Sequence, residues 1–145
     1  MKVSTRVEYG LIALTDIVIF GEKGTSVSAP EIAQRERIPR KYLEHILLLL
    51  RQAGFIEAHK GIRGGYALAR APEEVTLSEV LNALDSGILA EMETPESGGL
   101  RPVLNRCFWG EINERLNSYA ENLTLSDFAG RCRDASSADW DLYVI

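Results

Sequence analysis

Residues 60–65 read Lys-Gly-Ile-Arg-Gly-Gly and combine two cations with three glycines between two stretches that look like β-strands. Lys60 and Arg63 carry charge that can meet phosphates or enter a minor groove. The glycines allow positive φ angles and a close approach of the backbone to another surface. The spacing is not the G-x-x-x-x-G-K-[ST] order of a phosphate-binding P-loop before a helix. The alternative is a plain hairpin loop with two solvated basic side chains.

The elements before this loop position a second set of polar side chains. Ser28 followed by Glu31 forms a capping box that starts a short helix, and the break before the next helix lies at 37–39. The third helix is predicted over 40–53, with Gly54 as its stop. Its start is polar and its remainder apolar, as in a DNA-recognition helix, although an ordinary amphipathic core helix can look the same. Helix, turn, helix and basic hairpin follow one another as in a winged helix-turn-helix.

Charge is divided between the two halves of the chain. The first 70 of the 145 residues hold eleven Lys or Arg against seven Asp or Glu, the rest hold five against fourteen, and the net charge is -5. A basic first half can face phosphates, while an acidic second half is better suited to protein contacts. An uneven scatter by chance is the alternative.

Cysteine content and hydropathy indicate the compartment. Two cysteines are too few for a disulfide framework, and no apolar run is long enough to span a bilayer. Charged residues interrupt the apolar pattern of the first 20 residues, so we expect no secretory leader. These features predict a cytoplasmic protein without membrane contacts, in a cell that keeps thiols reduced.

The pattern as a whole predicts a mainly α fold with a small β-wing, in the α+β class. We expect a winged helix-turn-helix DNA-binding domain at 1–84 and a flexible loop at 85–101, the latter rich in Gly, Ser and acidic residues. A dimerisation helix and a final short helix are expected at 102–130, followed by an acidic tail at 131–145.

Apolar residues after Pro102 recur every three or four positions and form one face of a long helix. In so small a protein such a helix has little intramolecular core left to cover it, which favours a two-fold dimer over packing within one chain. The predicted dimer contacts are Leu104, Phe108, Ile112, Leu116, Tyr119 and Leu123.

Over residues 1 to about 130 the chain resembles the bacterial winged-helix regulators typified by IscR, NsrR and CymR. The resemblance rests on the order and spacing of short motifs, namely MKVSTR at 1–6, EIA at 31–33, YLE at 42–44, RGGYALA at 63–69, LSEV at 77–80 and LTLSD at 123–127. It implies a homodimer on a roughly palindromic operator, with the long helix pairing the protomers. Many members repress transcription and some also activate it.

Specific contacts follow from the resemblance. The positions that match the family's base contacts are Lys41, Glu44 and His45, and its wing contact falls on Lys60. Lys41 can donate to guanine, Glu44 can accept from cytosine, and His45 can do either or be a surface histidine without a special role. The full predicted set of DNA contacts is Ser28, Arg40, Lys41, Tyr42, Glu44, His45, Arg51, Lys60, Gly61, Arg63, Gly64 and Gly65.

Cysteine placement departs from part of the family. Several members hold an iron–sulfur cluster with three cysteines in and beside the loop after the fourth helix, and such clusters need thiolates close together. Here residues 85–106 contain no cysteine, Cys107 lies just past the loop, and Cys132 lies 25 residues further on. We therefore expect no such cluster. The weak metal candidates are Cys107 and Glu8, the latter matching a carboxylate that completes the cluster in some members. Alternatively, Cys107 is a small buried apolar residue or a redox-sensing thiol.

The leading prediction is a sequence-specific DNA-binding transcription regulator that acts as a homodimeric repressor. Its expected partners are double-stranded DNA and a second copy, with an unknown small-molecule or protein effector. One alternative is an iron–sulfur, redox or ligand-gated sensor with a non-standard site. Another is a protein-interaction module on a winged-helix scaffold. The sequence offers no nucleophile–base set and no metal-ligand spacing for its two histidines, so we expect no enzyme.

Overall fold

A computed structural model describes residues 3–21, 24–90 and 98–143, which are mostly helical with one two-stranded antiparallel sheet. The elements run in the order α1 (Thr5–Phe20), α2 (Ala29–Glu36), α3 (Arg40–Gln52), β1 (Ile56–His59), β2 (Gly65–Leu68), α4 (Leu77–Leu84), α5 (Leu100–Leu104), α6 (Gly110–Glu121) and α7 (Leu125–Tyr143). A 3-10 turn at Pro72–Glu74 precedes α4, and a π-helical segment at Asn105–Trp109 joins α5 to α6. The predicted mainly α fold with a β-wing is confirmed. Among these described residues, no helix is both long enough and apolar enough to cross a membrane.

Helix α1 contributes a large part of the main core. Ser4 caps it, since its Oγ accepts a hydrogen bond from the N–H of Val7 at 3.3 Å. The buried residues of α1 lie at helical spacing and pack mainly against α3; the apolar ones are Val7, Ala13, Leu14 and Ile17. Fully burying a side chain such as Leu14 or Ile17 contributes about 1.5–3 kcal/mol. The apolar positions of residues 4–20 recur at helical spacing in the sequence, and the helix they form runs from Thr5 to Phe20.

The helix-turn-helix forms where its local signals indicate. Ser28 Oγ accepts from the N–H of Glu31 at 3.3 Å and so caps α2. The chain then reverses at Arg37, whose φ of 54° is left-handed, before α3 begins. The apolar stripe of α3, which consists of Leu43, Ile46, Leu47 and Leu50, is entirely buried. Gly54, with a φ of 85°, follows the end of α3 as predicted.

The β1–β2 hairpin is the wing, and it is bonded to the start of the helix pair. In its antiparallel register Ile56 lies opposite Leu68, and His59 lies opposite Gly65. Tyr66 in β2 also exchanges two backbone hydrogen bonds with Val27, at 2.7 and 2.9 Å. Since Val27 directly precedes the N-cap of α2, this bridge fixes the wing relative to the helix-turn-helix.

A second, smaller cluster joins α4 to the C-terminal helices. Its buried members are Leu77, Leu89, Ala120 and Leu123. Two backbone hydrogen bonds reinforce it, from the N–H of Leu77 to the oxygen of Leu123 at 2.8 Å and from the N–H of Leu125 to the oxygen of Val75 at 2.7 Å. Leu125 itself is buried in the main core. The start of α7 thus shares a core with α1 and α3, while the predicted domain boundary at residue 84 stays a prediction.

The C-terminal half differs from the sequence expectations at three places. Helix α7 continues to Tyr143, so residues 131–143, predicted as a tail after a short helix, are helical. Residues 85–90 of the predicted flexible loop form turns that bury Leu89, whereas 91–97 lie outside the described residues. The long helix predicted after Pro102 contains the π-helical segment, and it ends at Glu121, before Leu123.

Candidate nucleic-acid interface

The exposed face of α3 carries the side chains predicted to contact bases. Lys41, Glu44 and His45 are all exposed in the N-terminal half of this helix. Arg40 Nε lies 3.5 Å from Glu44 Oε1, and the two side chains are 62% and 58% exposed. So exposed an ion pair is worth at most about 1 kcal/mol, which lets Glu44 exchange Arg40 for a base amino group at little cost. Leu48, 48% exposed, adds an apolar surface to α3.

Three other predicted contacts have different surroundings. Tyr42 is half-buried and packs edge-on against Tyr9, with ring centroids 5.4 Å apart. The Oγ of Ser28 already accepts the capping hydrogen bond, so its remaining capacity is chiefly its own hydroxyl proton. Arg51 is exposed in the last turn of α3, roughly 15 Å from Lys41 along the helix at ~1.5 Å per residue. Tyr42 and Ser28 therefore serve the fold first, and Arg51 suits a backbone phosphate better than a base.

The wing tip is an exposed basic loop. Lys60, Gly61 and Arg63 are all exposed, and Gly61 has a φ of 113°. The N–H of Gly64 donates to the oxygen of Gly61 at 3.0 Å and closes the turn. Ile62 between them is fully exposed, and it was absent from the predicted set. An unburied isoleucine beside two cations could have been singled out, because minor-groove proteins use apolar side chains to wedge base steps.

Gly64 and Gly65 are required by the hairpin itself. A Cβ on Gly64 would lie 2.5 Å from the carbonyl oxygen of His59. A Cβ on Gly65, whose φ is 152°, would lie 2.5 Å from the carbonyl oxygen of Val27. The close approach that was predicted for these glycines is therefore an approach to the backbone of this chain, at His59 and Val27, and not to another surface.

A hydrogen-bonded chain of side chains supports the base of the wing. His59 Nδ1 lies 3.2 Å from Ser26 Oγ, and His59 Nε2 lies 2.9 Å from Glu57 Oε1. A serine, a histidine and a carboxylate are thus in line, as in a hydrolase triad. However, the His59 and Glu57 side chains are 46% and 56% exposed, so they lack the enclosure that such chemistry uses. These hydrogen bonds connect the wing to the segment before α2 and so support the position of the wing.

A buried ion pair connects α1 to α2, and the predicted site set did not include it. Arg35 donates from Nε and Nη2 to the two carboxylate oxygens of Asp16, both at 2.9 Å. The Asp16 side chain is 0% exposed and that of Arg35 is 32% exposed. Arg35 also lies 4.0 Å from the centroid of the Phe20 ring. The hydrogen bond to Asp16 raises the pKa of Arg35, so the guanidinium stays charged, and its two hydrogen bonds fix the first helix of the helix-turn-helix against the core.

Two further groups beside this pair have perturbed acidity. Burial, and then a hydrogen bond to the Asp16 carboxylate, raise the pKa of Glu36 to about 7. Burial also raises the pKa of the Cys132 thiol on α7, which makes that thiol less reactive. In the sequence, the signal for this group of Asp16, Arg35, Glu36 and Cys132 was an acidic residue, Asp16, within the apolar pattern of α1.

The helical segment from α5 to α6 exposes large apolar side chains. Leu104 and Phe108 are each 51% exposed, Ile112 is 38% and Tyr119 is 61% exposed, as a dimer face requires. Of the other two predicted members, Leu123 is buried inside the chain and so is removed from this face, whereas Leu116 is partly buried against the smaller cluster and stays a prediction. Both residues face α4 because α6 lies against that helix. Three further exposed apolar residues, not in the predicted set, are Leu100, Val103 and Trp109.

The donor set does not fit a three-cysteine iron–sulfur cluster. The chain has two cysteines, with Cys107 exposed in the π-helical segment and Cys132 on α7 beside α1 and α2. Within 3–21, 24–90 and 98–143, no three His, Cys, Asp or Glu residues come together as metal ligands. Glu8 is exposed on α1 and belongs to no such group there. A cluster needs several thiolates at one place, and these residues do not supply them.

Comparison with known proteins agrees with this fold. A protein-family model described as "Rrf2: Iron-dependent Transcriptional regulator" matches residues 3–131. The protein rrf2 of Nitratidesulfovibrio vulgaris is 36% identical over 139 residues, which cover 94% of this chain and 90% of that protein. The HTH-type transcriptional regulator IscR of Cereibacter sphaeroides is 33% identical over 134 residues, covering 88% of this chain and 86% of the relative.

Solved structures resemble the chain over nearly its whole length. CymR, the global cysteine regulator of B. subtilis, matches with a TM-score of 0.79 at 27% identity, covering 90% of this chain and 98% of that one. The T. potens IscR structure matches with a TM-score of 0.74 at 28% identity, covering 93% and 90% respectively.

Proposed function

The chain belongs to the Rrf2 family of DNA-binding transcription regulators, and from that premise we propose that it is a homodimeric repressor on a roughly palindromic operator. The exposed polar face at the start of α3, next in sequence to a basic wing, is the observation that carries the proposal. A helix of this kind lies in the major groove, and the two helices of a dimer read half-sites about one DNA turn apart.

Base recognition is proposed for three side chains of α3. Lys41 donates to guanine O6 and N7, and Glu44, released from Arg40, accepts from cytosine N4. His45 donates or accepts according to its tautomer. Each good contact of this kind discriminates against a wrong base by about 1–3 kcal/mol.

Affinity without sequence preference is proposed for the remaining cations. Lys60 and Arg63 on the wing meet phosphates or enter the minor groove, while Arg40 and Arg51 contact the backbone around α3. Ile62 lies between the two wing cations, where it can rest against sugars or wedge a base step.

Self-association is proposed through the exposed apolar residues of the segment from α5 to α6. Phe108 and Trp109 pack edge-to-face with centroids 4.9 Å apart and present a large apolar surface. Exposed apolar surface of this kind marks an interaction site, and a second copy satisfies it with two-fold symmetry.

The remaining parts of the proposal concern cofactor, catalysis and compartment. The donor set does not support iron–sulfur sensing by three cysteines, so we propose regulation by another signal. The family's activity is transcriptional, and we propose that the chain has no enzymatic activity and acts in the cytoplasm.

Salt dependence tests the proposal quantitatively. Operators are first obtained by selecting binders from random double-stranded DNA with the purified protein. Fluorescence anisotropy then gives the slope of log affinity against log salt, which changes by about 0.9 for each phosphate that the protein no longer neutralises. Lys60→Ala with Arg63→Ala should flatten the slope by roughly 2, whereas Arg115→Ala, which removes an exposed cation paired to Glu111 at 3.2 Å, should leave it unchanged. Equal slopes for all three proteins contradict the assignment of the wing to DNA.

A further inference from the structure

Ile62 lies at the tip of the wing, where the fold leaves its apolar side chain in water. The N–H of Gly64 donates to the oxygen of Gly61 at 3.0 Å, so residues 61–64 form a β-turn with Ile62 and Arg63 at its centre. Ile62 is fully exposed, whereas the next most exposed large apolar side chain of the described residues, Leu100, is 73% exposed. The Ile62 side chain therefore adds nothing to the core, and all of its apolar surface is available to a partner of the wing.

Contacts from both strands of the hairpin fix the direction of this tip. Tyr66 in β2 exchanges backbone hydrogen bonds of 2.7 and 2.9 Å with Val27, which directly precedes the N-cap of α2. His59, the last residue of β1, lies 3.2 Å through its Nδ1 from Ser26 Oγ. The tip is thus held in place relative to the helix-turn-helix before a partner binds, and such preorganisation lowers the entropy lost when Ile62 makes a contact.

The charges around Ile62 favour a polyanion as the partner. Lys60 and Arg63 are both exposed, and residues 60–65 contain no acidic side chain. The tip therefore presents one apolar side chain together with two cations. The minor groove of a duplex is complementary to this surface, since phosphates border it and stacked bases form its floor. Isoleucine is among the side chains that minor-groove proteins insert between base pairs, which unstacks the step and kinks the duplex.

On the premise of the proposed DNA-binding function, we propose that Ile62 inserts as a wedge between two base pairs from the minor groove and kinks the operator at that step. The pyrimidine–purine steps TA and CA/TG are flexible and easily unstacked. The wing therefore selects a deformable step without a hydrogen bond to a base, while α3 reads base edges in the major groove. In a two-fold dimer this step occurs twice, at positions related by the symmetry of the operator.

The fluorescent base 2-aminopurine, which replaces adenine and brightens when it is unstacked, tests the insertion directly. It is placed in turn at each adenine of the selected operator, and each protein is added to saturation. We expect the emission to rise roughly twofold or more at one symmetric pair of steps, because insertion unstacks the base. Ile62→Ala should abolish the rise, whereas Ile62→Leu keeps a wedge of the same size and should retain it. Since the Ile62 side chain is fully exposed, neither substitution should shift the urea midpoint.

Salt dependence separates the wedge from the wing cations. Ile62→Ala removes apolar contact but no charge, so it should weaken operator binding roughly tenfold and leave the slope of log affinity against log salt unchanged. Arg63→Ala is the matched variant, because it removes a charge and keeps the neighbouring wedge. It should flatten the slope by about 0.9 and retain the rise in 2-aminopurine emission.

Operator selection gives a second, independent result. Operators selected by the parent should contain a pyrimidine–purine step at the symmetric pair of positions, and those selected by Ile62→Ala should lose this step but keep the bases read by α3. The proposal is overturned if operator binding is sequence-specific but no 2-aminopurine position brightens, or if Ile62→Ala leaves the emission and the selected step unchanged. Failure to select any specific operator would contradict the proposed function itself, and the wedge with it.

Discussion

The ion pair between Asp16 and Arg35 should contribute strongly and unequally to stability. Arg35→Met keeps an apolar stem beside Phe20 but leaves the Asp16 carboxylate, 0% exposed, without its partner. Removing one partner of a buried pair costs about 3–5 kcal/mol, and we expect the lower end because the Arg35 site is open to solvent. Asp16→Asn leaves a guanidinium that is 32% exposed and can hydrate, so its cost should be smaller, about 1–2 kcal/mol.

A double-mutant cycle measures the coupling directly. Urea unfolding followed by far-UV circular dichroism, at one protein concentration, gives the free energy of unfolding of the four proteins. The double variant buries no uncompensated charge, so its cost should be well below the sum of the single costs, by about 1.5 kcal/mol or more. Costs that add to within about 0.5 kcal/mol would refute an energetic link between α1 and α2 through this pair.

Three further predictions concern acidity, the wing and the dimer face. Folding raises the pKa of Glu36 from 4.5 to about 7, so the folded state favours the protonated carboxyl. The contribution of this group to stability is present below pH 4.5 and is lost as the pH rises through 7. Glu36→Gln removes the charge and should therefore raise the urea midpoint more at about pH 8 than at about pH 5. Gly65→Ala should destabilise the fold by about 2 kcal/mol or more, because the new Cβ would meet the Val27 backbone at 2.5 Å. Gly54 also has a positive φ but has open space around it, so Gly54→Ala should cost only about 1 kcal/mol in the same unfolding assay. In sedimentation equilibrium, Phe108→Ser should weaken self-association with little change in far-UV helical signal, whereas Leu123→Ala should chiefly lower the free energy of unfolding, by about 2–5 kcal/mol.

The parts of the fold set by local signals could be predicted closely. Ser28 and Glu31 give the start of α2 in the sequence, and the hydrogen bond between them forms as expected. The Gly54 stop and the turn glycines Gly61 and Gly64 likewise act within a few residues of their own positions, whereas Gly65 is required by the distant backbone of Val27. The polar start of α3 is exposed and its apolar stripe buried because both follow from helical periodicity.

The features that depend on distant parts of the chain could not be read in this way. Arg35 lies 19 positions along the chain from Asp16 and meets it only once α1 and α2 have packed, so their pairing has no local signature. Helix α7 extends through a Ser- and Asp-rich stretch of modest helix propensity, and its packing on α1 and the 3-10 turn supplies support that propensity does not. The burial of Leu123 likewise follows from how α4 meets α6, and periodicity cannot tell that face from a dimer face.

Sequence-specific recognition by α3 is tested most directly by one ratio of affinities. Anisotropy at physiological salt compares a selected operator with a scrambled duplex of the same length, for the parent protein and for Lys41→Ala. The parent should bind the operator at least 10³-fold more tightly than the scrambled DNA, which is roughly the lower end for specific regulators. In Lys41→Ala this ratio should fall by roughly tenfold or more, while affinity for the scrambled duplex changes little. Equal affinity of the parent for both duplexes would contradict sequence reading by this helix.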